Sequence, residues 1–159
     1  MTDTFTTPNG TYGGEMKPNG LFRWMMARQA NSIRKGGAKA AAKLAKRGVS
    51  TLVLVTKGRK SGKTFETPAA FWTLEDGSWI VCASAGGAQK HPAWYWNIAA
   101  APDALTAIIL GEEIPVAAEE LHGEARGAAW RHIISTAKNF VGYTKKTDRE
   151  LPVIRLTRR

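Results

Sequence analysis

The chain has 159 residues, of which 43% are hydrophobic and 23% are charged. This composition excludes a disordered protein, and the length gives one domain with a hydrophobic core but not two domains of ordinary size. The 23 lysines and arginines exceed the 13 acidic residues by ten, which favours an anionic partner such as nucleic acid, acidic lipid, or a phosphorylated or polycarboxylate ligand.

The first twenty residues predict a mobile tail. They are polar and rich in glycine, proline and asparagine, so they resist regular structure and do not resemble a secretory signal. No apolar run in the sequence approaches the roughly 20 residues that span a bilayer. Cys82 is the single cysteine, which excludes an internal disulfide and fits a reducing compartment. We therefore expect a cytoplasmic protein.

Residues 21–159 are expected to form one domain that begins with a basic helix. Apolar residues recur with helical spacing over 21–34, glycines interrupt the pattern at 36–37, and 38–47 is rich in alanine and lysine. No acidic residue occurs between 21 and 50. Such a helix is either a solvated surface element or an amphipathic anchor at the inner face of an anionic membrane. Composition leaves both interpretations open.

The middle of the chain predicts three antiparallel strands. Residues 50–56 are short and β-branched, and 64–74 and 79–83 follow as the next strands. Pro68 cannot donate to a strand ladder and indicates an edge or a bulge. Asp76 and Gly77 form a typical hairpin turn between the last two strands.

The second half predicts a short helix, a hairpin, a longer helix and a final strand. Their expected ranges are 92–101, 105–110 with 113–118, 124–138, and 151–156. About six antiparallel strands in meander order with flanking helices indicate an α+β protein built on a small closed or half-closed barrel.

The loop at 57–63 is glycine-rich and cationic. It has three residues between its glycines, where a phosphate-binding loop of nucleotide triphosphatases has four, and it precedes a strand where that loop opens a helix. Nucleotide triphosphatase activity is therefore not expected. Its basic residues still suit a phosphate or a carboxylate tail: Lys57, Arg59, Lys60 and Lys63. An ordinary basic hairpin is the alternative.

Three aromatic residues, Trp94, Tyr95 and Trp96, follow a second glycine-rich loop. On a helix they point in different directions, so some should be buried and some should line a cleft. Stacking on nucleobases is an alternative, but the sequence has no recognisable nucleic-acid-binding module. The histidines are scattered and Cys82 has no cysteine partner, so no metal site is expected.

Four motifs, in this order, resemble the deazaflavin (F420)-dependent nitroreductase family of actinobacteria. They are Thr-Lys-Gly-Arg-Lys-Ser-Gly-Lys at 56–63, Ala-Ser-Ala-Gly-Gly at 83–87, Lys-His-Pro-Ala-Trp-Tyr-Trp-Asn at 90–97, and Thr-Asp-Arg at 147–149. The resemblance extends from about residue 49 to the C-terminus. It implies a split β-barrel related to flavin mononucleotide (FMN)-binding proteins. It also implies coenzyme F420, a deazaflavin with a phosphate and an oligoglutamate tail, with FMN as the less favoured ligand.

The resemblance also implies which residues form the site. Those expected at the phosphate or tail are Arg59, Lys60 and Ser61, with Lys63 beside them, and Ala93, Trp94, Tyr95, Trp96 and Asn97. Those expected along the ring are Pro68, Cys82, Ala83, Ser84 and Ala85. Phe140 and Tyr143 are expected in the substrate pocket. Ser84 and Tyr143 are the candidate catalytic residues, Ser84 to polarise the acceptor and Tyr143 to donate a proton. The chain departs from the family where Phe65 and Ala85 replace basic residues and where Phe140 replaces a tyrosine.

These observations predict an F420H2-dependent reductase that passes a hydride to a hydrophobic electrophile: a quinone, an activated enone or a nitroaromatic. The alternative is a non-catalytic protein that binds a flavin, a deazaflavin or a lipid. We expect a monomer that takes a small hydrophobic substrate, does not bind nucleic acid, and contacts the membrane, if at all, through its basic helix.

Overall fold

The computed structural model describes residues 3–16, 19–46 and 50–159. Parts of the predicted tail (residues 1, 2, 17 and 18) and the end of the predicted basic helix (residue 47) lie outside these ranges. The described residues form four helices and six strands: α1 (Gly20–Lys46), β1 (Thr51–Lys57), β2 (Thr64–Thr73), β3 (Trp79–Cys82), α2 (Ala93–Ala100), β4 (Leu105–Ile109), β5 (Glu112–Glu120), α3 (Gly123–Thr136), α4 (Asn139–Thr144) and β6 (Val153–Arg158).

The strands close into an antiparallel barrel in the order β1-β2-β3-β6-β5-β4. Two three-stranded meanders, β1-β2-β3 and β4-β5-β6, are joined where β3 pairs with β6 and β1 pairs with β4. The barrel interior is filled by completely buried side chains such as Leu52, Leu54, Val81, Ile154 and Leu156. The α+β barrel predicted from the sequence is confirmed.

The barrel opens along β2. This strand pairs with β1 over residues 64–70 and with β3 over residues 71–73. Among the described residues, no strand therefore lies on the other side of 64–70. The Phe71 amide donates to the Ser50 carbonyl at 3.0 Å, and hydrogen-bonded pairs alternate along an antiparallel ladder. The Pro68 nitrogen consequently faces the open side, where no donor is needed, and this explains the predicted edge position.

Helix α1 packs on the outside of the barrel through its middle. Ala30 and Ile33 are buried against Val53 and Ile108. Arg34 pairs with Glu113 and Glu66 on the neighbouring strands. The predicted break is present, because the Gly37 backbone leaves the helical conformation at φ +54°. No helix in the described ranges is both long enough and apolar enough to cross a membrane.

Residues 3–16 pack against the barrel. Phe5 is 7% exposed, and the Thr6 amide donates to the buried Glu120 carboxylate at 2.9 Å. The Thr7 hydroxyl and the Tyr95 hydroxyl donate to the same carboxylate. The mobile tail predicted for residues 1–20 therefore does not match residues 3–16, because hydrogen bonds to distant residues hold a segment whose own composition favours no structure.

Candidate active site

A cleft of about 930 Å³ lies beside the open part of β2. The β2 segment from Phe65 to Ala70 lines the cleft, and so does the turn that follows β3. The β1–β2 loop and the start of α2 close one end, and Phe140 of α4 also contributes. The opening in the barrel thus brings the two glycine-rich loops of the sequence to a single cavity.

The cationic end of the cleft is a tight hairpin, residues 58–63. The Gly58 amide donates to the Lys63 carbonyl, and the Gly62 amide donates to the Gly58 carbonyl, both at 2.8 Å. The Arg59 amide donates to the Asn97 side chain at 3.1 Å, and the Arg59 guanidinium lies 5.9 Å from the centre of the Trp96 ring. Helix α2 therefore fixes the loop, and the loop presents Arg59, Lys60 and Ser61 to the cleft.

Small side chains line another part of the cleft. They are Ala69 and Ala70 of β2, and Cys82, Ser84, Ala85 and Gly86 at the end of β3 and in the turn after it. The turn has left-handed backbone at Ala85 (φ +46°) and Gly86 (φ +62°). Burial raises the pKa of the Cys82 thiol to about 12, so it stays protonated at neutral pH and is not a nucleophile.

Arg149 holds this turn from behind. Its side chain is 3% exposed and donates to the carbonyls of Ala83 (2.9 Å), Ser84 (2.5 Å) and Ala88 (2.8 Å). Burial lowers the pKa of the guanidinium from its ordinary value. A buried arginine thus satisfies carbonyls of the loop whose other face lines the cleft.

His91 links Arg149 to the N-terminal segment. Arg149 donates to the Nδ1 atom of His91 at 2.7 Å, because a guanidinium nitrogen can only donate. The hydrogen of the neutral ring must therefore lie on Nε2, which donates to the Thr7 carbonyl at 2.8 Å. Burial lowers the pKa of His91, in agreement with a neutral ring.

The structure brings most of the predicted site residues to the cleft. Those on its surface are Arg59, Lys60, Ser61, Pro68, Cys82, Ser84, Ala85, Ala93, Trp94, Trp96, Asn97 and Phe140. Lys63 is exposed outside the cleft, and Ala83 is completely buried. Tyr95 is also completely buried, and its hydroxyl donates to Glu120 at 2.9 Å. Burial, together with this carboxylate, raises the pKa of Tyr95.

Tyr143 is not among the residues that line the cleft. Its ring contacts Phe140 edge-on at 5.2 Å between centroids, and its hydroxyl accepts a hydrogen bond from the Asn139 amide at 3.1 Å. Phe140 lines the cleft, so Tyr143 contacts the cavity wall through the Phe140 ring. The predicted role of Tyr143 as a proton donor stays a prediction.

Sequence reasoning missed the N-terminal contribution to the site. Asn9, Gly14 and Met16 line the cleft, as do Phe22 and Met26 of α1. From the sequence alone, the asparagine and glycines of this segment predict a mobile tail. No local pattern identifies their partners, which lie more than 70 residues further along the chain.

The residues present fit F420. Arg59 and Lys60 supply cationic donors and Ser61 a hydroxyl, which is the donor set for a phosphate or a carboxylate. The small side chains on both walls leave room for a flat ring beside that cationic end. The turn requires glycine at position 58, since a Cβ there would stand 2.7 Å from the Phe65 ring and from the Ser61 hydroxyl.

Comparison with known proteins agrees with this geometry. Residues 24–158 match the family described as F420H(2)-dependent quinone reductase. Rv3178 of Mycobacterium tuberculosis, whose name groups it with these reductases, is 36% identical over 67% of this chain and 87% of its own length. A solved F420-H2 dependent reductase (FDR-A) superposes with a TM-score of 0.60 at 33% identity, covering 67% of this chain and 93% of that one.

A further solved chain, described as a domain-swapped dimer, has a TM-score of 0.62 at 27% identity and covers 86% of this chain and 99% of that one. The split barrel and the family resemblance predicted from the motifs are both confirmed. The chain belongs to the F420H(2)-dependent quinone reductase family, whose members are F420-dependent oxidoreductases.

Proposed function

We propose that this protein is an F420H2-dependent reductase of hydrophobic electrophiles, with quinones as the first class to test. The observation that supports it is a single cleft that joins a cationic loop to small-residue walls and an apolar mouth. An anionic tail and an apolar acceptor can be accommodated together in such a cleft.

Different residues along the cleft have different proposed roles. Arg59 and Lys60 bind the tail or phosphate, and Ser61 adds a neutral donor. Ala69, Ala70 and the turn at 84–86 orient the ring and exclude water from it. When bound, reduced F420 supplies a hydride for transfer to the acceptor. Holding the acceptor against the ring supplies much of the rate through proximity.

Ser84 is the polar side chain best placed to act on the acceptor. Its carbonyl is held by Arg149, so its position is fixed, and its residue lines the cleft. We assign Ser84 a hydrogen bond to the ring or to the acceptor oxygen. We assign Tyr143 a positioning role, because it contacts the cleft through Phe140, and the proton then comes from solvent.

The mouth of the cleft favours an apolar acceptor. Met16, Phe22 and Phe65 line it and are 48%, 41% and 47% exposed. Met26 and Phe140 add further apolar surface. The family resemblance implies a basic residue at position 65 and a tyrosine at position 140, so Phe65 and Phe140 make the pocket more hydrophobic.

The N-terminal end of α1, which contributes Phe22 and Met26 to the cleft, supports peripheral membrane contact. Leu21, Trp24 and Met25 are more than half exposed, and the helix carries no acidic residue. Apolar side chains on a cationic helix insert at the surface of anionic lipid. Vesicles of phosphatidylglycerol should sediment the protein, vesicles of phosphatidylcholine should not, and Trp24→Ser with Met25→Ser should abolish the difference.

The deciding experiment is a fluorescence titration with F420 and, in parallel, with FMN, followed by oxidation of F420H2 by menadione. We expect tight F420 binding, weaker FMN binding and turnover. The double variant Arg59→Ala with Lys60→Ala should weaken F420 binding at least about tenfold, since each cation contributes a charge-assisted hydrogen bond. The control Lys39→Ala with Lys43→Ala removes the same charge from α1. Equal affinity in both double variants would contradict the proposed tail site.

A non-catalytic binding protein is the second candidate. It is favoured by Ala85 and Phe65, since the family resemblance implies basic residues at both positions. Tight ligand binding without reduction of any acceptor would support it.

The structural neighbour described as a domain-swapped dimer disagrees with the monomer that we expect for this protein. Light scattering of the purified protein tests that prediction.

A further inference from the structure

The residues that close one side of the cleft lie outside the part of the chain that matches the family, which begins at residue 24. We propose that residues 9–16, which we call the strap, form a wall of the F420 site and retain the bound cofactor. This inference rests on the proposed function and assigns a role to a segment that the family match leaves out.

Backbone contacts join the strap to the loop between β3 and α2. The Gly10 amide donates to the Gln89 carbonyl at 2.8 Å, and the Gln89 amide donates to the Gly14 carbonyl at 3.0 Å. Gly14 also forms a parallel bridge with Ala88. The His91 amide donates to the Asn9 side chain at 2.9 Å. The strap therefore adds a strand-like edge to the loop that lines the cleft.

Asp148 fastens the other side of the strap. Its carboxylate accepts hydrogen bonds from the Thr11 amide at 2.8 Å, the Thr11 hydroxyl at 2.6 Å and the Tyr12 amide at 3.3 Å. The Thr147 hydroxyl donates to the Tyr12 carbonyl at 2.7 Å. The Thr11 hydroxyl bond, followed by the amide bonds, lowers the pKa of Asp148, so the carboxylate is charged at neutral pH.

The glycines of the strap are required for its close approach. A Cβ at Gly10 would stand 2.7 Å from the Asp148 carboxylate, 2.8 Å from the Thr147 hydroxyl and 2.9 Å from the Arg149 Cβ. Gly13 has φ +141°, and a Cβ there would stand 2.7 Å from the Gln89 amide. The strap thus fits one position on the domain, which distinguishes it from a tail that only rests on the surface.

The consequence concerns the rate at which a ligand leaves. Asn9, Gly14 and Met16 face the same cavity as Arg59 and Ser84. A molecule bound there is covered on this side by the strap. Displacing the strap should therefore speed dissociation more than it changes association, because retention by a wall acts on the bound state.

The test is Gly10→Ala, which displaces the strap without changing a side chain that faces the cleft. We expect F420 to dissociate about five- to tenfold faster in a stopped-flow chase, the change that the loss of one or two hydrogen bonds produces. Hydrogen exchange of the Thr11 and Tyr12 amides should accelerate in the unliganded variant. The control is Gly20→Ala, which adds a Cβ in open space at the start of α1.

Asp148→Ala is the second variant and decides the result if Gly10→Ala does not fold, because Asp148 is exposed at the surface. Faster dissociation in the variant supports the inference. F420 binding to the unmodified protein with unchanged dissociation in the variants overturns the strap inference alone. Absence of F420 binding to the unmodified protein overturns the proposed function and this inference with it.

Discussion

Arg149 is a buried cation whose role is to satisfy the backbone of the cleft wall. Arg149→Met would leave the carbonyls of Ala83 and Ala88 without their donor, whereas the Ser84 carbonyl keeps the hydrogen bond from the Gly87 amide at 2.9 Å. Each buried unsatisfied acceptor costs about 1–3 kcal/mol, so we expect the free energy of unfolding to fall by at least about 2 kcal/mol. Urea denaturation measures it.

Arg149→Lys is the informative companion to that variant. Lysine keeps the charge but presents a compact ammonium in place of a planar fork. It should therefore recover part of the stability and restore little of the order of the turn at 84–86. Full recovery of stability in Arg149→Lys would mean that the turn requires a positive charge at this position and not the planar set of donors that arginine provides.

His91 should make stability depend on pH. Its folded pKa is lowered below the ordinary 6.5 by burial, so the unfolded chain binds the proton first as the pH falls. The neutral ring therefore gives full stability above about pH 6.5, and that stability is lost as the pH decreases below it. Protonation would also place a hydrogen on Nδ1, where Arg149 donates.

The measurement is thermal unfolding between about pH 7.5 and about pH 5, which is roughly one unit above and one and a half units below the ordinary histidine pKa. The transition temperature of the unmodified protein should decrease across this window. His91→Gln should be less stable at neutral pH and should show a shallower dependence. A slope that His91→Gln leaves intact would assign the effect to another group.

The conformation of the β1–β2 loop, and not its composition, determines which of its cations face the cleft. Four cations are close together in the sequence, yet the turn directs Arg59 and Lys60 into the cleft and leaves Lys63 outside it. We expect Lys60→Ala to raise the F420 dissociation constant about tenfold and Lys63→Ala to change it less than about twofold. Fluorescence titration at fixed ionic strength distinguishes them. Equal effects would mean that the loop acts only through its net charge.

Helix α1 was predicted correctly as an element but not in its orientation. The spacing of its apolar residues indicated one face, whereas the structure divides them between three environments. Ile33 packs on the barrel, Phe22 and Met26 line the cleft, and Leu21 and Trp24 are exposed. Periodicity locates a stripe on a helix, but it does not say which part of the stripe extends beyond the body of the protein.

The strands and hairpins of the barrel could be predicted because their information is local, whereas the expected meander order is replaced by β1-β2-β3-β6-β5-β4, which non-local pairs close. Each strand carries its own β-branched pattern, and the turns between them have their own residues, such as Asp76 and Gly77. The supports of the site could not be predicted in this way. Arg149 lies 58 residues from His91 and 66 from Ala83 along the chain, and no spacing rule relates them. Tyr95 was misplaced for the same reason, since its partner Glu120 belongs to another element.

The contacts of the strap also determine when the site can be completed during synthesis of the chain. Its contacts with Asp148 span 137 residues, and the Thr6–Glu120 contact spans 114. A chain that leaves the ribosome N-terminus first therefore makes the contacts between the strap and Asp148 only after residue 148 has emerged. Contacts of such long range are the slowest to form, because the entropy cost of closing the loop comes before any stabilisation by the contact. A nascent or truncated chain that ends before residue 148 therefore has no complete pocket with which a ligand could assist its folding.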